Sequence, residues 1–234
     1  MKILVMSLLR LGDIFMHNAL ARSLKQQHPG CEITFLVNES FSSSLDVLDS
    51  VDHFILFPRE YLQKILVEQK QNISVAFLEM QEVVTTVNQQ NFNLILNATH
   101  NFLSVRLMDL FEANEKRGVQ YQAGKPAIYS NSWLKYFDEH FSAGTRSDFH
   151  YLDVLHKALD VSFQGITKTA RASGHDGAVY LQVLTSDIKK NWGLEKFREL
   201  KTKIENKFNQ QKVYVLCSSK EYAQVSSVFS IAEI

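Results

Sequence analysis

Cysteine, proline and glycine are scarce in this chain, and neither sign of charge prevails. Two cysteines occur in 234 residues, Cys31 and Cys217, far apart and at no metal-ligand spacing, which excludes a disulfide framework or a zinc knuckle. Their apolar or strand-like flanks mark both as buried, reduced thiols. Three prolines, nine glycines and no low-complexity stretch exclude a linker-like or disordered chain. The 25 basic and 25 acidic residues leave a formal net charge of zero, so no whole-molecule field recruits nucleic acid or an anionic membrane. No apolar run is long enough to cross a bilayer, and the segment Met1 to Arg10 passes into Gly12-Asp13 without the cleavage site of a signal peptide. A cytoplasmic protein is expected, with room for peripheral contact at the inner face of a membrane.

Familiar site motifs are missing too. The first strand-to-helix turn holds one glycine where a dinucleotide loop needs Gly-x-Gly-x-x-Gly, which disfavours NAD and with it a nucleotide-dependent epimerase or reductase. There is no Gly-x-Ser-x-Gly nucleophile elbow. His17, His100, His140, His150 and His156 show no metal spacing and read as surface or capping residues, and no metal site is expected.

What is present is a regular alternation of strand and helix. Ile3 to Met6 is a continuous apolar run, as in a central parallel strand covered on both faces. A helix follows on which Ile14, Ala19, Leu20 and Leu24 share a face, and His28-Pro29-Gly30 ends it. Ile33 to Val37 is the next strand, completing a right-handed βαβ unit. The alternation continues through a strand at His53–Phe57, a helical region from Glu60 to about Gln89, a strand at Leu94–Leu96, a helix at Phe102–Phe111 and a short strand at Arg117–Val119. Gln122 to Ser132, with Gly124 and Pro126, reads as a loop, and Tyr151–Leu159 as a helix closing the domain.

Between Val161 and Gly177 the residues turn small and polar, as in an interdomain linker, dividing the chain into domains at 1–165 and 176–234. The second domain repeats the pattern with strands at Ala178–Leu184 and Val213–Cys217 and helices at Leu194–Phe208 and Lys220–Phe229. So small a parallel sheet would leave apolar edges uncovered, so the expectation is α/β with two Rossmann-like domains, the second truncated.

Chemistry is expected at the carboxyl edges of these sheets. Leu11-Gly12-Asp13 stands where the first strand yields to the first helix. Gly12 would admit close approach of a substrate to the backbone, and Asp13 is open to two roles, general base for a hydroxyl or helix cap. At the equivalent place in the second domain, Thr185, Ser186 and Lys190 offer hydroxyls and an ammonium that suit a diphosphate, the alternative being a solvated basic turn with Trp192 packed beneath it. Ser218, Ser219 and Glu221 follow the next strand and are placed to meet a ribose or base. Phe41 and Phe102 fit either a lipid-facing surface or ordinary packing.

Lys2-Ile3-Leu4-Val5 through Leu11-Gly12-Asp13 to Ala21-Arg22-Ser23-Leu24-Lys25 and His28-Pro29 resembles the opening of the lipopolysaccharide heptosyltransferases, glycosyltransferase family nine. The resemblance continues in Phe92 to Asn97, in Arg106 to Gly118, and in Lys190-Asn191-Trp192, which looks like the family's Lys-x-Trp element. It implies a GT-B architecture and an inverting, metal-independent transfer of heptose from ADP-heptose to a lipid-linked inner-core acceptor, with no cofactor beyond the donor. Asp13 would be the base and Gly12 would lie on the acceptor side. Thr185, Ser186 and Lys190 would hold the donor phosphates, with Glu221 on the nucleotide. The chain departs from the family in two places. An Asp-Thr-Gly-x-x-His-like donor segment is absent before Ile234, and Gln182-Val183-Leu184-Thr185 stands where Pro-Gly-Ala is usual. A fragment of a longer enzyme, or a noncatalytic Rossmann-like binding protein of envelope assembly, is the alternative.

Overall fold

A computed structural model of the chain describes residues 1–68, 73–122, 125–142, 146–163, 177–185, 187–208 and 211–230. Strand β1 (Lys2–Ser7) is buried at every residue after Lys2 because both of its faces are covered. The strand's twofold side-chain period sends Ile3 and Val5 into one core and Leu4 and Met6 into another. Helix α1 (Leu11–Gln27) starts sooner than its apolar pattern, so Leu11-Gly12-Asp13 forms its first turn. It buries Ile14, Leu20 and Leu24 as expected, with Ala21 beside them, while Ala19 is half-buried.

After β2 (Glu32–Asn38) and a 3₁₀ turn at Glu39–Ser44 comes β3 (His53–Phe57). The long helical region is two helices, α2 (Arg59–Glu68) and α3 (Ile73–Gln89), with residues 69–72 outside the described ones. Then follow β4 (Leu94–Asn97), α4 (Phe102–Leu110) and β5 (Glu115–Arg117). The five strands are all parallel, in the order β3-β2-β1-β4-β5. Connections run one way from β1 toward β2 and β3 and the other way toward β4 and β5. The carboxyl ends of β1 and β4 therefore part from each other at a topological switch point.

The stretch expected as a loop from Gln122 instead holds an antiparallel pair, β6 (Gln120–Gln122) and β7 (Lys125–Ile128), and a short helix, α5 (Ser132–Phe137). A two-stranded ribbon tolerates Pro126, which a central strand would not. Asn131 starts α5 by accepting the Leu134 N–H at 2.8 Å. After a π-helical turn at Asp138–Ser142, His150 caps α6 (Tyr151–Ala158), its Nδ1 accepting the Leu152 N–H at 3.2 Å. Helices α1, α5 and α6 cover one face of the sheet, and α2, α3 and α4 cover the other.

The chain divides into two compact units, Met1–Thr167 and Lys168–Ile234. Of the linker expected at Val161–Gly177, residues 164–176 lie outside the described ones. The second unit carries β8 (Val179–Gln182), α7 (Leu194–Lys207), β9 (Val213–Leu216) and α8 (Tyr222–Val225), with β8 and β9 parallel. Helix α8 is far shorter than the expected Lys220–Phe229. Ser226 and Ser227 turn their hydroxyls back onto the carbonyls of Ala223 and Gln224, a local bond that competes with the helical ladder. Val225 and Phe229 still pack against Val183, Leu184 and Val215. Cys31 is buried as expected, whereas Cys217, at the end of β9 on the sheet margin, is half-buried; both are free thiols. Among the described residues no helix is long and apolar enough to cross a membrane.

Candidate active site at the sheet switch point

Two polar side chains lock the ends of β1 and β4 together. Thr99 Oγ1 donates to the Met6 carbonyl at 2.9 Å and accepts the Leu8 N–H at 2.8 Å. Asn97 Oδ1 accepts the N–H groups of Thr99 at 3.1 Å and His100 at 3.4 Å, while its Nδ2 donates to the Val119 carbonyl at 3.2 Å. The backbone at Gly118 lies so near Asn97 that a Cβ there would fall 2.7 Å from the Asn97 carbonyl oxygen. Above this floor opens a cleft of about 590 Å³, walled by Arg10, Asp13, Met16, His100, Phe137 and Tyr151.

Asp13 is half-buried on the cleft wall. One carboxylate oxygen, Oδ2, accepts the Arg10 N–H at 3.1 Å and closes the first turn of α1. The other oxygen has no hydrogen-bond partner among the described residues. Capping thus engages only one of the two oxygens. Gly12 is exposed, and a Cβ built on it meets nothing within 4 Å, so the fold itself does not require glycine there.

Behind Asp13 lies a buried polar chain that the sequence reading missed. His17 is fully buried, with Nδ1 2.7 Å from Ser7 Oγ and Nε2 2.8 Å from Tyr151 Oη. Burial, reinforced by His100 and His156, lowers the His17 imidazole to about 3, so the ring is neutral. Burial and then the Asp13 charge raise the Tyr151 phenol, which keeps its proton. The neutral ring carries one proton, so one of its nitrogens donates and the other accepts, and the hydroxyls of Ser7 and Tyr151 can serve either role. His156 is buried as well, with Nδ1–H donating to the Leu152 carbonyl at 2.6 Å and Ser23 donating to Nε2 at 3.0 Å. His17, His100 and His156 are thus core residues, against the surface or capping role expected for them: His17 and His156 lie on the inner faces of α1 and α6, and His100 is turned in by the bend between β4 and α4, while His150 caps α6.

In the second unit, the turn after β8 closes on itself. Asn191 Oδ1 accepts the Thr185 N–H at 2.7 Å, and Asp187 Oδ1 accepts the Lys189 N–H at 3.1 Å. Thr185 Oγ1 donates to the Asp187 carbonyl at 2.9 Å, so its hydroxyl keeps lone pairs but no proton for a ligand. Lys190 is exposed in the 3₁₀ turn Ile188–Lys190, and no ion pair among the described residues engages it. Ser186 lies outside the described residues. Trp192 is half exposed and meets the Phe197 ring edge-on at 5.1 Å. After β9, Glu221 Oε2 accepts from Ser218 N–H at 2.8 Å and Ser218 Oγ at 2.7 Å, and these bonds hold its carboxyl below the usual carboxylate range. Since β8 and β9 are parallel neighbours, the Thr185–Lys190 turn and Glu221 stand at the same carboxyl edge.

No protein-family model matches the sequence, and no curated protein matches it. Solved structures do. An E. coli heptosyltransferase WaaC bound to ADP-2-deoxy-2-fluoro heptose is similar over 98% of this chain and 74% of its own, with a TM-score of 0.65 at 15% identity. A glycosyl transferase family 9 protein from Veillonella parvula is similar over 97% of this chain and 66% of its own, with a TM-score of 0.67 at 14% identity. E. coli ADP-heptose lps heptosyltransferase II follows over 100% of this chain and 70% of its own, with a TM-score of 0.56 at 12% identity. The structural likeness thus falls on the family that the sequence resembles, and it establishes a GT-B-type α/β fold for this chain.

Proposed function

We propose that this chain is a glycosyltransferase that moves a sugar from a nucleotide donor to a saccharide hydroxyl, the finer reading being heptose from ADP-heptose to a lipid-linked inner-core acceptor. The observation that carries the proposal is Asp13, half-buried in a 590 Å³ cleft at the switch point with one carboxylate oxygen unpartnered. A base must reach the proton that it removes, and an oxygen already holding a backbone N–H would do so poorly.

In this reading Asp13 takes the proton from the acceptor hydroxyl as that oxygen bonds to the anomeric carbon. The bond from that carbon to the diphosphate breaks, and the nucleoside diphosphate leaves with the electron pair, inverting the centre. Lys190, which pairs with no carboxylate among the described residues, would offset the charge that builds on the leaving diphosphate, with Thr185, Ser186 and Glu221 around the donor. Phe102, 70% exposed next to the cleft residue Asn101, offers apolar ground to a lipid-linked acceptor at the cytoplasmic face of a membrane; Phe41 instead packs against the core.

The test pairs calorimetry with a transfer assay on the full chain. ADP should bind in preference to UDP and NAD, and Asp13→Asn should keep the ADP affinity while transfer falls by about 10²–10⁴-fold. Transfer by the variant at the wild-type rate would remove Asp13 from the chemistry. Absence of binding to any nucleotide would favour a noncatalytic relative.

A further inference from the structure

His100 stands on the same cleft wall as Asp13, and nothing among the described residues satisfies it. The residue is 7% exposed, yet neither ring nitrogen has a hydrogen-bond partner. Buried imidazoles ordinarily find partners, as His17 and His156 do in the same core. The backbone is also strained in the ring's favour. His100 sits at φ 52, a left-handed conformation uncommon outside glycine, and is held there by the Asn97 carboxamide. Phe137 packs against the ring at a centroid distance of 4.4 Å and fixes its plane. Strain, burial and two idle nitrogens on one cleft-lining residue are the marks of a group kept for a ligand.

Resting on the glycosyltransferase reading, we infer that His100 is a specificity-determining residue whose neutral ring hydrogen-bonds a hydroxyl of the acceptor sugar seated beside Asp13. Burial lowers this imidazole to about 3, so at neutral pH it presents one N–H and one bare nitrogen. A sugar hydroxyl, donor and acceptor at once, satisfies either nitrogen. A phosphate or carboxylate would use only the N–H, and an ammonium only the bare nitrogen; an acidic group on the acceptor would meet Arg10 on the same wall rather than His100. Met16, Phe137 and the Tyr151 ring suit the apolar face of a pyranose, and Arg10 and Asn101 add polar groups for its other hydroxyls.

The experiment uses the full chain with isotope-labelled histidine and de-acylated lipopolysaccharide inner-core oligosaccharide as the probe. The His100 ring signals are identified by their loss in His100→Phe. They should shift on saturation with the oligosaccharide, and His100→Phe should weaken its binding about tenfold with ADP affinity unchanged. His100→Asn, whose side chain tolerates the left-handed backbone, should lose affinity to the same extent even if the phenylalanine variant folds poorly. Equal affinity in the wild type and both variants, with unmoved His100 signals, would overturn the inference and leave the transferase reading standing. A wild-type chain that does not bind the oligosaccharide would overturn the acceptor reading and this inference with it.

Discussion

Gly118 shows how closely single residues are set beneath the cleft. Its φ is 110, a region that L side chains rarely enter, and an added Cβ would fall 2.7 Å from the Asn97 carbonyl oxygen and 2.8 Å from the Asn97 Cβ. Asn97 cannot retreat, because its amide carries the Thr99 and His100 N–H groups and the Val119 carbonyl. Gly118→Ala should therefore cost at least about 2–4 kcal/mol, the sum of backbone strain and overpacking. Urea unfolding measures it, and an alanine variant as stable as the wild type would show that the Asn97 turn yields. Gly12 is the opposite case, with open space around its missing side chain. The sequence makes both glycines visible but not which of them the fold needs, since that depends on a neighbour 21 residues away in the chain for Gly118 and on no neighbour for Gly12.

At the scale of elements, α6 reaches the cleft through Tyr151 and the core behind it through His156. Tyr151→Phe keeps the ring but removes the hydroxyl that partners His17 Nε2, leaving a buried nitrogen unpaired. The expected loss is about 1–3 kcal/mol of stability. A thermal melt checks it, and a variant with unchanged Tm would mean that His17 finds another partner. The elements themselves were largely legible, because β1, β2 and β4 are buried on both faces and read as apolar runs, and because α1 repeats its apolar residues at helical spacing. The β6–β7 ribbon was not, since its pairing is local and its residues carry no alternation. Nor was the inward turn of His17, His100 and His156. Each owes its burial to an element distant in sequence, as with the 134 residues separating His17 from Tyr151. Asp13 was legible because strand end, turn and helix start are all local signals, whereas His100 stands beside it only through the crossover that places β4 next to β1.

Taken as a whole, the first unit buries neutral imidazoles, and this sets how the molecule answers acid. His17 and His100 are each lowered from 6.5 to about 3, chiefly by burial, and His156 is lowered in the same direction. An unfolded chain takes up a proton at each of these rings near pH 6.5, whereas the folded chain declines it until about pH 3 for His17 and His100. Between those values the unfolded state binds more protons, so stability falls as pH falls, by about 1.4 kcal/mol per pH unit for each ring. Two such rings give roughly 3 kcal/mol per unit, steep against a typical domain stability of about 5–15 kcal/mol. Carboxylates such as Asp49 and Asp52, whose folded values are depressed, add their own loss only below the carboxylate range. Urea midpoints at pH 7.5, 6.5 and 5.5 isolate the histidine window. The wild type should hold its stability above about pH 6.5 and lose it steeply below, and His100→Asn, with one titrating ring fewer, should fall less steeply. A flat profile down to pH 5.5 would mean that these rings reach water or a partner in the folded protein, and with it the ligand-facing role of His100 would lose its ground.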